Sequence, residues 1–164
     1  RDWVHREIGP IDVLVNNAGI VSGGPFLEVP IEQHIKTIEV NLNGLMHMTH
    51  VFLPDLIEKE SGHIVMLASA AGFVGVPAAS SYAASKWAVI GFTESVRLEL
   101  EREGLYDIKF TIACPGFVDT GMFAGVKAPL LAAVLEPETI ADLSEHDHRP
   151  CSEGSILEDR RWFV

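Results

Sequence analysis

Tyr82 and Lys86 stand four residues apart in Ser81-Tyr82-Ala83-Ala84-Ser85-Lys86, at the start of a stretch with helical character, so they share one helix face. A phenol ordinarily ionises near pH ~10 and is a poor base at neutral pH. An ammonium one helical turn away favours the phenolate, and a tyrosine with a lowered pKa can exchange a proton with an alcohol or carbonyl oxygen. Alone, such a pair is common on solvated helix faces. Its surroundings make it specific. Ser69, 13 residues earlier, sits at the carboxyl end of the strand-like run His63 to Leu67, where its hydroxyl can hold a substrate oxygen. Asn41 lies in Val40-Asn41-Leu42-Asn43-Gly44, a break in a long helical stretch, where an unpaired backbone carbonyl can bind a water leading from the lysine. Pro115-Gly116-Phe117-Val118-Asp119-Thr120 leaves a strand with a stiff residue and then a flexible one, so its backbone can approach a ligand closely.

The elements that must position these groups follow from the hydrophobic pattern. Arg1 to Glu7 reads as a helix end, stopped by Gly9-Pro10. Ile11 to Val15 is a short, nearly continuous apolar run, the pattern of a strand covered on both faces, and Asn16-Asn17-Ala18-Gly19 ends it. A glycine-rich loop leads to Pro30. From Ile31 to about Lys59 apolar residues recur at helical spacing, with a kink expected at Pro54. His63 to Leu67 is a second buried-type strand, Ser81 to about Glu103 a second long helix closed by Gly104, and Ile108 to Cys114 a third strand. Strands alternating with helices long enough to cross over imply parallel βαβ units, in which ligands sit outside the carboxyl ends of the strands. Asn16 to Gly19, Ser69 and Pro115 to Thr120 are thereby expected along one sheet edge.

Composition excludes several classes. The 164 residues suit one domain, and 48% hydrophobic with 21% charged residues excludes a mainly disordered chain. Twelve basic against 23 acidic residues, a formal charge of −11, argue against nucleic acid. The longest apolar stretches, such as Leu130 to Leu135, fall far short of a membrane span. Cys114 and Cys151 neither build a disulfide framework nor show metal spacing, which fits a reducing, cytoplasmic setting. No metal site is expected: His47 and His50 lack a third ligand, and His146, His148 and Cys151 fall in a tail without periodicity. His34 and His63 read as surface or satisfied histidines. Residues 136–164 hold eight acidic and three basic residues, and 144–164 reads as a poorly ordered acidic tail.

In order and spacing, Asn16-Asn17-Ala18-Gly19, Asn41, Ser69, Tyr82-Ala83-Ala84-Ser85-Lys86 and Pro115-Gly116 followed by Val118 and Thr120 resemble the short-chain dehydrogenase/reductases, over about residues 1–143. Asn-Asn-Ala-Gly is similar to the compact branch rather than to the extended epimerase/dehydratases that act on sugar nucleotides. Gly121-Met122-Phe123 is similar to members acting on retinoids, steroids or other lipophilic alcohols. The resemblance implies an α/β fold, the C-terminal half of a doubly wound parallel Rossmann-type sheet with three strands and covering helices. It implies hydride transfer between NAD or NADP and a small-molecule alcohol or carbonyl. Tyr82 would be the general acid/base, Lys86 would bind the nicotinamide ribose, Ser69 would orient the substrate oxygen and Asn41 would hold a relay water. Asn16, Asn17, Ala18 and Gly19 would border the adenosine half of the cofactor, and Pro115, Gly116, Val118 and Thr120 the nicotinamide and diphosphate. Phe117, Met122 and Phe123 would line the substrate pocket. A homodimer or homotetramer is implied too, with the small-residue stripe Ala84, Ala88 and Gly91 on the packing helix. The family's first βαβ unit, with its glycine-rich turn, and its last strand have no counterpart here; Gly19 to Gly24 opens no helix. A non-catalytic, truncated or spliced product that keeps the dimer helices is therefore the alternative expectation, with marginal folding.

Overall fold

The structure, a computed structural model, describes residues 1–118 together with 134–135. Helix α1 (Asp2–Glu7) leads to strand β1 (Val13–Asn16); helix α2 (Ile31–Ile38) passes through a π-helical turn (Glu39–Gly44) into α3 (Leu45–Lys59). Strand β2 (Gly62–Leu67), a short 3-10 turn (Ala70–Gly72), α4 (Ser80–Arg102) and β3 (Ile108–Ala113) follow, with the two-residue β4 (Phe117–Val118) pairing β5 (Val134–Leu135). The three longer strands form a parallel sheet in the order β1-β2-β3. Val13 pairs with His63 and Asn16 with Met66; Gly62 pairs with Ile108 and Leu67 with Ala113. All three strands of the sheet thus end together, which brings the loops after Asn16, Leu67 and Ala113 to one edge.

The apolar runs explain the strands, but unequally. Leu14, Ile64, Met66 and Ile112 join Leu45, Phe52, Leu56 and Val89 of the helices in one core. His63, Ile64, Val65 and Met66 of β2 are buried in succession, as a strand covered on both faces should be. Edge strand β1 departs from that expectation: it alternates, with Leu14 and Asn16 buried while Val13 and Val15 are 44% and 54% exposed. Among the described residues the covering elements reach one face of β1 only.

The long helical stretch is interrupted at the π-turn around Asn41, while α3 runs unbroken through Pro54. In α2 the amphipathic sense is reversed. Ile31 and Ile35 are exposed, and His34 and Thr37 face inward. Gly104, at φ +85°, supplies the left-handed residue that stops the chain just after α4. At the amino end of the sheet the buried Asp55 of α3 accepts hydrogen bonds from Arg1 (2.5 Å) and the Ile11 N–H (3.2 Å) and pairs with His5 (2.7 Å), which fastens α1 to α3. Burial alone would push this carboxyl up; the His5, Ile11 and Arg1 hydrogen bonds outweigh it and hold the pKa below the ordinary 3.8.

Candidate active site

Apart from Asn41 in the π-turn, the described candidates lie at the carboxyl ends of the strands and in the first turns of α4. Ser69 stands two residues past the end of β2 and caps the 3-10 turn, its Oγ accepting from the Ala71 N–H at 3.2 Å. The end of β3 is stitched to it: the Ala68 N–H donates to the Ala113 carbonyl at 2.8 Å and the Ala70 N–H to the Pro115 carbonyl at 2.9 Å. Pro115 and Gly116 are therefore held beside Ser69, as the strand order requires. Gly72 packs against α4; a Cβ there would meet Ile90 Cδ1 at 2.6 Å and the Lys86 carbonyl at 3.1 Å, so only glycine lets this turn close on the helix.

Tyr82 and Lys86 both lie inward, 6% and 4% exposed. The phenol hydrogen-bonds the Ser69 hydroxyl. The ammonium lies 5.7 Å from the Tyr82 ring centroid and donates to the Leu67 carbonyl at 2.6 Å. Asn41, 1% exposed, faces the same corner. Its Oδ1 accepts from the Ile20 N–H at 2.8 Å, and its Nδ2 donates to the Ile20 carbonyl at 2.9 Å and to Ser85 Oγ at 3.0 Å. Ser85 in turn donates to the Tyr82 carbonyl at 2.7 Å. Asn41 thus joins the loop after β1 to the helix turn that carries Tyr82. The π-turn around it disrupts regular helical bonding at the place where a water-binding carbonyl is wanted.

The electrostatics correct one expectation. The phenol is not lowered by its lysine. Burial pushes it above the ordinary 10.0, and the Ser69 hydrogen bond only partly offsets this. Burial likewise pulls Lys86 from 10.5 down to about 8; among the described residues its ammonium donates to the neutral Leu67 carbonyl, with no carboxylate beside it. Cys114, fully buried behind the pair, is pushed up to about 11 by burial and stays a thiol.

The other candidates are placed as follows. The Asn16 side chain turns away, donating to Thr49 Oγ1 (3.1 Å) and Met66 Sδ (3.2 Å), so only its backbone remains for a ligand. Asn17 and Ala18 are exposed, and a Cβ on Gly19 would lie 3.5 Å from Asn41 Oδ1 and 3.7 Å from Lys86 Nζ. Phe117 and Val118 form β4, with side chains outside the description; Thr120, Met122, Phe123, His146, His148 and Cys151 lie outside the described residues. Among the described residues no three His, Cys, Asp or Glu side chains cluster to hold a metal, and no helix is long and apolar enough to cross a membrane.

A sequence model of the family described as short chain dehydrogenase matches residues 2–130. The chain belongs to the short chain dehydrogenase family. Epidermal retinol dehydrogenase 2 of Mus musculus is 43% identical over 139 residues, 84% of this chain and 45% of that protein. Retinol dehydrogenase 10-A of Danio rerio is 44% identical over 124 residues, 76% of this chain and 37% of that protein. A gluconate 5-dehydrogenase from Burkholderia cenocepacia J2315, solved in complex with NADP and tartrate, superposes with a TM-score of 0.68 at 27% identity, covering 74% of this chain and 47% of its own. The chain spans less than half the length of these relatives. Within this chain, Ser81, Ser85 and the Leu67 carbonyl are the contacts that spacing alone did not single out. Ser81 and Ser85, one helical turn apart and flanking Tyr82, were the available signal.

Proposed function

We propose that this chain carries the proton-transfer machinery for NAD(P)-dependent oxidation of a primary or secondary alcohol, or reduction of the matching carbonyl. The observation that supports it is one buried corner in which the Tyr82 phenol hydrogen-bonds Ser69 while the Lys86 ammonium overlies the tyrosine ring. Retinol dehydrogenases among the relatives favour a lipophilic alcohol of the retinol class as substrate. Tyr82 exchanges the substrate's hydroxyl proton at its phenolic oxygen, and Ser69 holds the same substrate oxygen. With its pKa above 10.0 the phenol is a neutral acid at pH 7, ready to protonate a carbonyl; a cation alongside favours its role as base. A nicotinamide cofactor, NAD or NADP, supplies the hydride acceptor and that positive charge when bound. The residues fit its nicotinamide ribose: Lys86 offers buried N–H donors, and Gly19 keeps the space beside them open, since a Cβ there would lie 3.7 Å from Lys86 Nζ. Asn17, Ala18, Pro115 and Gly116 lie along the same edge, and the Asn41 turn is the place for a relay water. Ala84, Trp87, Gly91 and Leu98 on the outward face of α4 are exposed and support self-association into a homodimer or homotetramer.

Tyr82→Phe removes only the ionisable oxygen. Turnover should fall by about two to four orders of magnitude while nucleotide affinity stays within a few-fold; retention of more than about a tenth of the rate removes Tyr82 from this role. The exposed Val13 and Val15 favour a second reading, in which the 164 residues keep the helices but bind no nucleotide. Titration with NAD and NADP separates the two: saturable binding ends the second reading.

A further inference from the structure

The inward face of α2 carries polar residues where an amphipathic helix ordinarily carries apolar ones, and each has a partner. His34, Thr37 and Asn41 stand at i, i+3 and i+7, one stripe of the helical stretch. Asn41 engages Ile20 and Ser85, Thr37 Oγ1 lies 2.9 Å from Ser22 Oγ, and His34 reaches Ser81 Oγ at 3.0 Å and the Phe26 carbonyl at 3.1 Å. The stripe therefore grips the loop after β1 at three points and α4 at two. Ser81 and Ser85 bracket Tyr82.

We propose that His34 is a positioning residue, which sets the Tyr82 end of α4 against the loop around Phe26. The proposal rests on the role given to Tyr82 above. A carbonyl only accepts, so His34 Nε2 carries the hydrogen toward Phe26; in the neutral ring Nδ1 then accepts the Ser81 hydroxyl hydrogen. One ring, 6% exposed and tilted at 32° against the Phe26 ring with centroids 4.8 Å apart, thereby couples two elements that no backbone bond of α2 joins. The pairing lies one residue from Tyr82, at the mouth of the small cluster in which Tyr82 packs with Ala71, Ala79 and Ala83. Asn41 does the same work two turns further along, through Ser85. Tyr82 is held from both sides, and losing the His34 side leaves its first helical turn free to shift and admit water.

The two nitrogens can be tested separately, because asparagine reproduces the Nδ1 position and glutamine the Nε2 position. The chain has two tyrosines, Tyr82 and the exposed Tyr106, so labelling with ¹³Cζ-tyrosine gives two signals, one of them an internal reference. In an alkaline titration of the full chain, His34→Asn, His34→Gln and Ser81→Ala each break the bridge from Phe26 to Ser81 and should each bring the Tyr82 midpoint down toward 10.0 with the Tyr106 signal unmoved. An unmoved Tyr82 midpoint in either His34 variant or in Ser81→Ala, alongside a lower melting temperature, overturns the proposal and leaves His34 as general packing. Should the His34 variants not fold, Ser81→Ala decides alone: an unmoved Tyr82 overturns. Since the signal comes from the phenol, full turnover in Tyr82→Phe sinks the catalytic reading without touching this result.

Discussion

Two charged side chains are buried at opposite ends of the sheet, and they are held in different ways. Asp55, near the start of β1, has a fully covered side chain with Arg1, His5 and the Ile11 N–H around it. Lys86, at the end of β2, has the Leu67 carbonyl and the face of a tyrosine ring. The first charge is compensated and its pKa moves further toward ionisation; the second, among the described residues, is not, and its pKa falls to about 8. A buried charge with complete partners ties elements together. One left with neutral partners is strained toward giving up its proton, and that is the condition expected where a proton or an anionic ligand is to be handled.

The contrast breaks if the two residues respond alike to removal. The largest effect belongs to Lys86→Met, which should lower kcat by about a hundredfold or more and weaken nucleotide binding, yet leave the melting temperature unchanged or raised. A drop in stability with normal kinetics would place Lys86 with Asp55. Asp55→Asn should do the reverse, with about 1–3 kcal/mol lost in denaturant unfolding and turnover per folded molecule within a few-fold of the parent. The smallest effect is in the pH dependence of stability. Asp55, depressed in the folded state, contributes stability that is present above 3.8 and is lost as pH falls through its folded pKa. For Lys86 the unfolded chain keeps its proton to 10.5 and the folded chain releases it near 8, so its contribution to stability rises across that interval. Parent and Lys86→Met unfolding curves should diverge there, and superimposable curves would contradict the uncompensated charge.

Much of this was legible beforehand. Tyr82 and Lys86 sit on one helix because four residues make about one turn, and Ser69 meets them because parallel strands end together. The break at Asn41 could be read from Val-Asn-Leu-Asn-Gly, where helix formers give out. What escaped depends on who covers what. A continuous apolar run reads as a strand buried on both faces, yet β1 is covered on one, since an edge position is not encoded in its own residues. In α2 the isoleucines pointed to the core face and were wrong about it; His34 and Thr37 are inside because Ser81, Phe26 and Ser22 await them, partners distant in sequence. The sign of the Tyr82 shift escaped for the same reason. Spacing shows that an ammonium is near, but only the packed structure shows how much water both groups have lost.

The most direct test is the titration of Lys86 itself. With ¹³Cε-lysine in the full chain and the Lys86→Met variant to identify the resonance, the signal should move with a midpoint near 8. A midpoint at the ordinary 10.5 would mean that the ammonium is solvated or paired, and the contrast with Asp55 would not hold.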